Sequence, residues 1–285
     1  MNPFISIIIP CRNEQDFIEN NVRSCFNQSY QGEIEVLVVD GFSTDETRSI
    51  VQALSKEFPA LRLVDNEKQT TPYALNIGIK KSLGDYFIIL GGHAELDKDF
   101  VKINVENFIS DSIGCTGGII KNVYLNNAGK AIGKAMESKF GVGNATFRTG
   151  GEKSKVDTVA FGMYNKSIIK EIGLFDERLV RNQDDEFNFR VSRKYDIIFD
   201  PAIVSKYFVR GNYIKLFKQY FQYGYWKVFV NQIHKTITTW RQLIPAMLIL
   251  FIAIGLPLSA LFAELGVLFF LTMHLYVGAA MIFAG

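Results

Sequence analysis

Four short apolar runs, at 5–9, 34–39, 61–64 and 86–90, stand out in the first 120 residues. They are rich in Ile, Val and Leu and lack a regular polar alternation. Runs this short and this β-branched suit strands buried on both faces of a parallel sheet. Between them, 17–27 and 44–58 carry helical patterning, the second opened by a Ser43/Thr44 cap with Glu46 and Thr47 in its first turn. Strand, helix, strand, helix predicts an α/β, doubly wound layout with a mostly parallel sheet. No internal repeat or low-complexity tract interrupts it.

The pattern changes after residue 200. From 212 to 234 eight aromatic residues, Tyr220, Phe221 and Trp226 among them, are interleaved with Lys215, Lys218 and Lys227. Such a segment suits a membrane interface, rings at headgroup depth and ammonium groups toward anionic lipid. A helix packed on the first domain is the plainer alternative. Residues 243–285 are apolar around a single charge, Glu264. One straight helix of that length would run about 64 Å, twice the hydrocarbon thickness. Two spans with a turn at 263–266 are therefore expected, with Pro245, Gly255 and Pro257 tolerated and His274 hydrogen-bonded to a neighbouring helix. The domains expected are 1–208, 209–242 and 243–285. The chain ends inside an apolar run, as a piece of a longer parent protein would.

Composition narrows the class. Hydrophobic residues at 48% and aromatics at 13% exclude a disordered chain. Cys11, Cys25 and Cys115, odd in number and without a C-x-x-C pair, exclude a disulfide scaffold or zinc ribbon and fit a reducing compartment. A net charge of +2 hides strong segregation. Residues 1–200 hold 24 basic and 28 acidic side chains, whereas 201–242 hold seven basic ones, Arg210 and Arg241 included, and no acid. The acidic first segment argues against nucleic acid as a partner. The basic excess just before the first span places the N-terminal domain on the cytoplasmic side of the cell's inner membrane. Residues 4–9 are too short for a signal peptide and lack a basic region before them.

Chemistry gathers at strand ends. Pro10-Cys11-Arg12-Asn13-Glu14 closes the first strand and opens a helix, and Asp40-Gly41-Phe42-Ser43 repeats that geometry at the second. Ligands of α/β sheets sit there, where helix N-termini offer free N–H groups to phosphate. Asp40 can accept from a nucleobase or ribose; a plain strand-end acid and cap is the alternative. Further along come Pro72-Tyr73-Ala74-Leu75-Asn76-Ile77-Gly78, the strand Tyr86-Phe87-Ile88-Ile89-Leu90, a run from Phe140-Gly141-Val142-Gly143-Asn144 to Arg148, Val156-Asp157-Thr158, and Gln219-Tyr220-Phe221-Gln222-Tyr223-Gly224.

Taken together these motifs resemble the family 2 glycosyltransferases of GT-A fold, in particular the succinoglycan and exopolysaccharide subgroup with C-terminal membrane helices. The resemblance covers nearly the whole chain. It implies an inverting transfer from a nucleotide-diphosphate sugar, a UDP-sugar foremost, to a lipid-linked saccharide acceptor, with a polysaccharide assembly complex as a further partner. It assigns Pro10, Arg12, Glu14 and Asp40 to the nucleotide. The family's Glu-Asp pair falls on Gln183-Asp184, so Asp184 is the expected base, with Asp185 its easily confused neighbour. Inverting transfer needs one such carboxylate to take the acceptor hydroxyl's proton; acids that merely favour a helix dipole are the plain alternative. Arg190 would pair with an acid of this cluster. Arg148, in the glycine-rich run ending at Gly151, would fold over the acceptor or belong to a loop without function. Lys68 and Gln69 could reach phosphate or sugar hydroxyls, although a solvated Lys68 is the simpler reading.

At the metal site the chain departs from the family. The usual leading acid of the Asp-x-His motif is Gly91 here. His93 and Glu95 would then bind the cation, a nitrogen and oxygen set that suits Mn²⁺ better than Mg²⁺. Three readings are open: a shifted site, metal-independent transfer aided by Lys or Arg, and an inactive variant. The rival functions are a nucleotidyltransferase, for which no glycine-rich basic loop is present, and a catalytically silent scaffold that binds nucleotide sugar.

Overall fold

A computed structural model of the chain describes residues 2–143, 145–209, 211–238 and 243–284. Asn144, Arg210 and Arg241 lie outside them. The first half alternates as the pattern predicts: β1 (Ile5–Cys11), α1 (Ile18–Phe26), β2 (Ile34–Asp40), α2 (Thr47–Glu57), β3 (Leu61–Asp65), α3 (Thr71–Lys81) and β4 (Tyr86–Ile89). There follow β5 (Ala94–Leu96), α4 (Phe100–Glu106), β6 (Ile113–Tyr124), α5 (Asn127–Glu137), α6 (Lys139–Val142) and α7 (Thr146–Thr149). Then come β7 (Ser154–Val156), β8 (Ala160–Asn165), α8 (Ile169–Ile172), α9 (Gln183–Ser192) and β9 (Asp196–Val209). Three long helices close the chain: α10 (Tyr213–His234), α11 (Ile244–Leu261) and α12 (Ala263–Ala284).

Among the described residues nine strands form one sheet, in the order β3-β2-β1-β4-β8-β6-β9-β5, with β7 also on β9. The first four strands are mutually parallel, and β6 runs parallel to β9. The remaining pairings are antiparallel. Period-two geometry explains why the early strands read as apolar throughout. Ile5, Ile7 and Ile9 pack with α1, α2 and α4, while Ile8 packs on the other face with α3 and α9. Gly78 of α3 is needed for that contact, since a Cβ there would lie 2.4 Å from Ile8 Cγ2.

Helix α2 starts at Thr47, not at 44, and Ser43 and Thr44 do not cap it. Glu46 is the N-cap, and Asp45 just before it accepts from Thr47 N–H at 3.0 Å and Thr47 Oγ1 at 2.6 Å. Ser43 and Thr44 are drawn instead to Asp40 and Asn13. The turn between the last two helices falls at Phe262, and 263–266 are already helical. His274 Nδ1 bonds the Phe270 carbonyl of its own helix at 2.7 Å, not the neighbouring helix it was expected to reach.

Among the described residues, α11 and α12 are long and apolar enough to cross a membrane. At 1.5 Å per residue they run about 27 and 33 Å, close to the hydrocarbon thickness. They pack as a hairpin, with Phe269 pressed against Gly255 and stacked on Phe251 at 5.3 Å. Their outward Ile and Leu side chains stay uncovered by the chain.

Candidate functional site

Strand order reverses at β1, whose neighbours are β2 and β4, so a cleft opens at the carboxyl ends of these strands. The loops after β1 and β2 are knitted together. Asn13, with φ at +56°, donates its N–H to Ser43 Oγ at 2.8 Å and accepts from Thr44 N–H at 2.9 Å. Glu14 N–H donates to Thr47 Oγ1 at 2.8 Å, and Glu46 N–H to Gln15 Oε1 at 3.0 Å. Arg12 is exposed at this edge and Pro10 half-buried.

Asp40 is the buried keystone of that loop pair, its side chain 0% exposed. It accepts from Ser43 N–H at 3.0 Å and from the Arg48 guanidinium at 2.7 Å. The other arm of Arg48 holds Asp65 at 2.8 Å. Asp40 therefore meets the cleft through Ser43 and Arg48. Sequence reasoning passed over Arg48, although its place in the first turn of a helix that follows a strand-end acid was a usable signal. Lys68 is exposed, and the Gln69 backbone abuts Gly41 across the turn that follows β3.

After β4 the chain turns through Gly91 and Gly92 to His93. Buried Asn21 of α1 pins this turn, donating to the carbonyls of Gly91 at 2.8 Å and Ala94 at 2.7 Å. Asn21 was also overlooked; a polar residue on the face of Ile18, Val22 and Cys25 was its mark. Gly92 fits because a Cβ would come within 2.9 Å of Glu14 Cγ. A side chain at 91 would meet the ring of Phe161 at 3.3 Å.

The structure brings His93 to Glu14, Nδ1 and Oε1 being 3.3 Å apart, with the ring 4.9 Å from that of Tyr207. Glu95 instead faces Lys206 across the β5–β9 pairing, at 3.7 Å. Among the described residues no group of three or more His, Cys, Asp or Glu is arranged to hold a metal ion. A nitrogen and a carboxylate oxygen 3.3 Å apart nevertheless fit as neighbouring ligands, since adjacent positions around an ion with 2.1 Å bonds lie about 3 Å apart. The donor set is completed only if a bound diphosphate supplies oxygens.

Helix α9, which packs on β9 and β6, carries the acidic cluster. Asn182, in the left-handed region at φ +60°, precedes it. The Asp184 carboxylate reaches solvent from a position closely surrounded by protein. Desolvation, then the neighbouring Asp185 charge, raises its pKa, while the Asp185 N–H bond at 2.9 Å and the Lys227 ammonium oppose the rise. Asp185 itself is paired with Lys227 of α10. Glu186 is buried between Arg190 at 2.7 Å and His234 at 2.9 Å, so Arg190 does pair within the acidic cluster. Asn188 ties the helix to Thr158 and to the Tyr164 hydroxyl, each at 2.8 Å. Asn76 grips the segment before α9 through both the N–H and the carbonyl of Phe175, each at 2.9 Å. Arg148 lies over the Phe147 ring, and its Nη1 is buried without a partner among the described residues.

The profile of the family described as "Glycosyl transferase family 2" matches residues 6–173. A Methanococcus voltae protein named dolichyl N-acetyl-alpha-D-glucosaminyl phosphate 3-beta-D-2,3-diacetamido-2,3-dideoxy-beta-D-glucuronosyltransferase is 37% identical over 231 residues, covering 78% of this chain and 72% of that one. The succinoglycan biosynthesis protein ExoA of Rhizobium meliloti is 28% identical over 243 residues, 84% of this chain and 73% of its own length.

Among solved structures, S. aureus TarS in complex with UDP-GlcNAc superposes with a TM-score of 0.60 at 18% identity, over 79% of this chain and 65% of that one. GalNAc-T7 with UDP, GalNAc and Mn²⁺ gives 0.59 at 17%, over 73% and 44%. The chain thus spans less than two thirds of either solved chain, and at these identities the likeness is one of fold. A profile that matches over half of the chain, with a relative at 37% identity along most of its length, settles the membership: this protein belongs to glycosyl transferase family 2.

Proposed function

We propose that the chain is a membrane-anchored, inverting glycosyltransferase that moves a sugar from a UDP-sugar to a lipid-linked saccharide at the cytoplasmic face of the inner membrane, in exopolysaccharide or cell-surface glycan synthesis. The observation that carries the reading is Asp184. It is a solvent-reachable carboxylate with a raised pKa at the start of α9. A base raised toward the working pH takes a hydroxyl proton more readily. The acceptor oxygen then attacks the anomeric carbon as the bond to the leaving diphosphate breaks, and the proton ends on Asp184.

Donor binding falls to the knitted loops after β1 and β2. Pro10, Arg12 and Glu14 line the edge, and Asp40 acts through Ser43 and Arg48. His93 and Glu14 would hold a divalent ion, Mn²⁺ in preference to Mg²⁺ because of the imidazole, while Glu95 is turned to Lys206. Such an ion, when bound, neutralises charge on the diphosphate. Arg148 and Asp185 sit on the acceptor side of the reading. The UDP-GlcNAc and Mn²⁺ complexes of the fold neighbours support a UDP-sugar and a divalent cation. The dolichyl phosphate in the name of one relative and the succinoglycan in that of another support the lipid-linked acceptor. The domains are proposed as 1–208 for catalysis, 209–242 at the interface and 243–285 as anchor.

The test is nucleotide release and sugar transfer by the detergent-solubilised protein against UDP- and GDP-sugars, with Mn²⁺, Mg²⁺ or EDTA. Metal-dependent transfer that disappears in Asp184→Asn is expected. Gly91 favours a second reading, a silent nucleotide-sugar-binding scaffold; donor binding without turnover, even with lipid-linked acceptor present, would select it.

A further inference from the structure

The N-terminal turn of α9 is held by α10, and both helices lie beyond the matched residues 6–173. Arg181 Nε donates to Gln222 Oε1 at 3.0 Å, and Asn182 Nδ2 donates to the Tyr223 carbonyl at 2.9 Å. Asp185 pairs with Lys227, and Glu186 bonds His234 at 2.9 Å. Residues on both sides of Asp184 are thus fastened to one helix. Lys227 is only 7% exposed, a burial lysines rarely accept unless paired. The opposite face of α10 carries Ile214, Phe217, Phe221 and Val228, all exposed and spaced by three, four and seven residues, so they form one stripe.

We propose that Lys227 is a positioning residue for the base, holding Asp185 in an ion pair so that the adjacent Asp184 keeps its place and stays available as a carboxylate at neutral pH. This rests on the reading of Asp184 as the base. Two neighbouring carboxylates in one partly desolvated turn oppose each other's ionisation, and a cation on one relieves the other. The charged and titratable groups facing Asp184 are Asp185 on its own helix, Lys227 and Tyr223 on α10, and Tyr164 on β8. Of these Lys227 is the cation.

The experiment measures kcat/KM for transfer against pH with the full chain in lipid nanodiscs. Lys227→Met is expected to move the acid limb up by about one pH unit and so to lower kcat up to about tenfold at pH values on that limb, with the donor KM unchanged. Lys227→Arg should restore both. Asp185→Asn placed in the Lys227→Met background should return the limb toward the wild-type position, a rescue that a purely packing role of Lys227 would not give. A limb that stays put in Lys227→Met, or a loss that Asp185→Asn does not relieve, overturns the proposal. If Lys227→Met does not fold, Asp185→Asn alone decides: its limb should move to lower pH, and an unmoved limb overturns the idea. Transfer that survives in Asp184→Asn would instead sink the base assignment, which separates the two failures.

Discussion

Asp184 and Asp40 are both strand- or helix-end acids, yet their surroundings give them opposite work. Asp184 is costly to charge where it stands, because desolvation and Asp185 favour its protonated form. A carboxyl that holds its proton more tightly in the folded chain than in the unfolded one binds more protons when native, between the ordinary value of 3.8 and its raised folded value. Stability therefore falls as pH rises through that window and stays lower above it. Asp184→Asn removes the charge, so its Tm in neutral buffer should exceed that of the wild type while transfer drops by a factor of about 10² or more; thermal melts and a transfer assay check both. Asp40 is the reverse case, a wholly buried charge neutralised by Arg48. Arg48→Met leaves that charge unpaired and should cost about 3 kcal/mol, read as a fall in Tm that Asp40→Asn in the same chain partly recovers.

At the level of elements, the site depends on turns held by buried amides. Asn21 supplies two donors to the 91–94 turn, and no other partner for those carbonyls comes from α1. Asn21→Leu should destabilise by about 1–3 kcal/mol and raise the donor KM more than it lowers kcat, since His93 sits on that turn. Close packing is the second device. Gly78→Ala would press a methyl against Ile8 at 2.4 Å and should cost about 1–3 kcal/mol, visible in melts without a change in donor specificity. The elements that were legible in advance are those whose pattern is local: β1 to β4 with α1 and α2, where a buried parallel strand must be apolar on both faces. The strands β6 and β9 escaped notice because their stability is non-local. Gly114, Gly117 and Gly118 thin out β6, and Asp200 with Pro201 interrupts β9, yet the two pair along most of their length.

For the whole molecule, charge and apolar surface are segregated along the chain. The exposed stripe of α10 leads into two uncovered apolar helices, while the sheet domain before them is net acidic. The chain should pellet with membranes and resist alkaline carbonate extraction. Protease should cut the N-terminal domain in inverted membrane vesicles and spare it in intact spheroplasts. Cleavage in spheroplasts would reverse the orientation. One face of α10 packs on the first domain through Lys227 and His234, and the exposed stripe on the other is the face proposed for the membrane interface.

What the amino-acid order determined by itself was whatever depends on neighbours in the chain: the alternation of strand and helix, the acids and loops at strand ends, the apolar tail, and the motif around Asp184. Periodicity and hydropathy are properties of contiguous residues, so they survive being read one after another. Which groups touch was decided only by the tertiary structure. Glu14 and His93 are 79 positions apart and meet because β1 and β4 are adjacent strands whose ends share one edge. Asp185 and Lys227, 42 apart, meet because α10 lies along α9. Glu95 faces Lys206 because β5 pairs with β9. Each of these pairings is fixed by strand order and helix packing, which depend on the free energy of burying the whole sheet rather than on any local stretch of sequence.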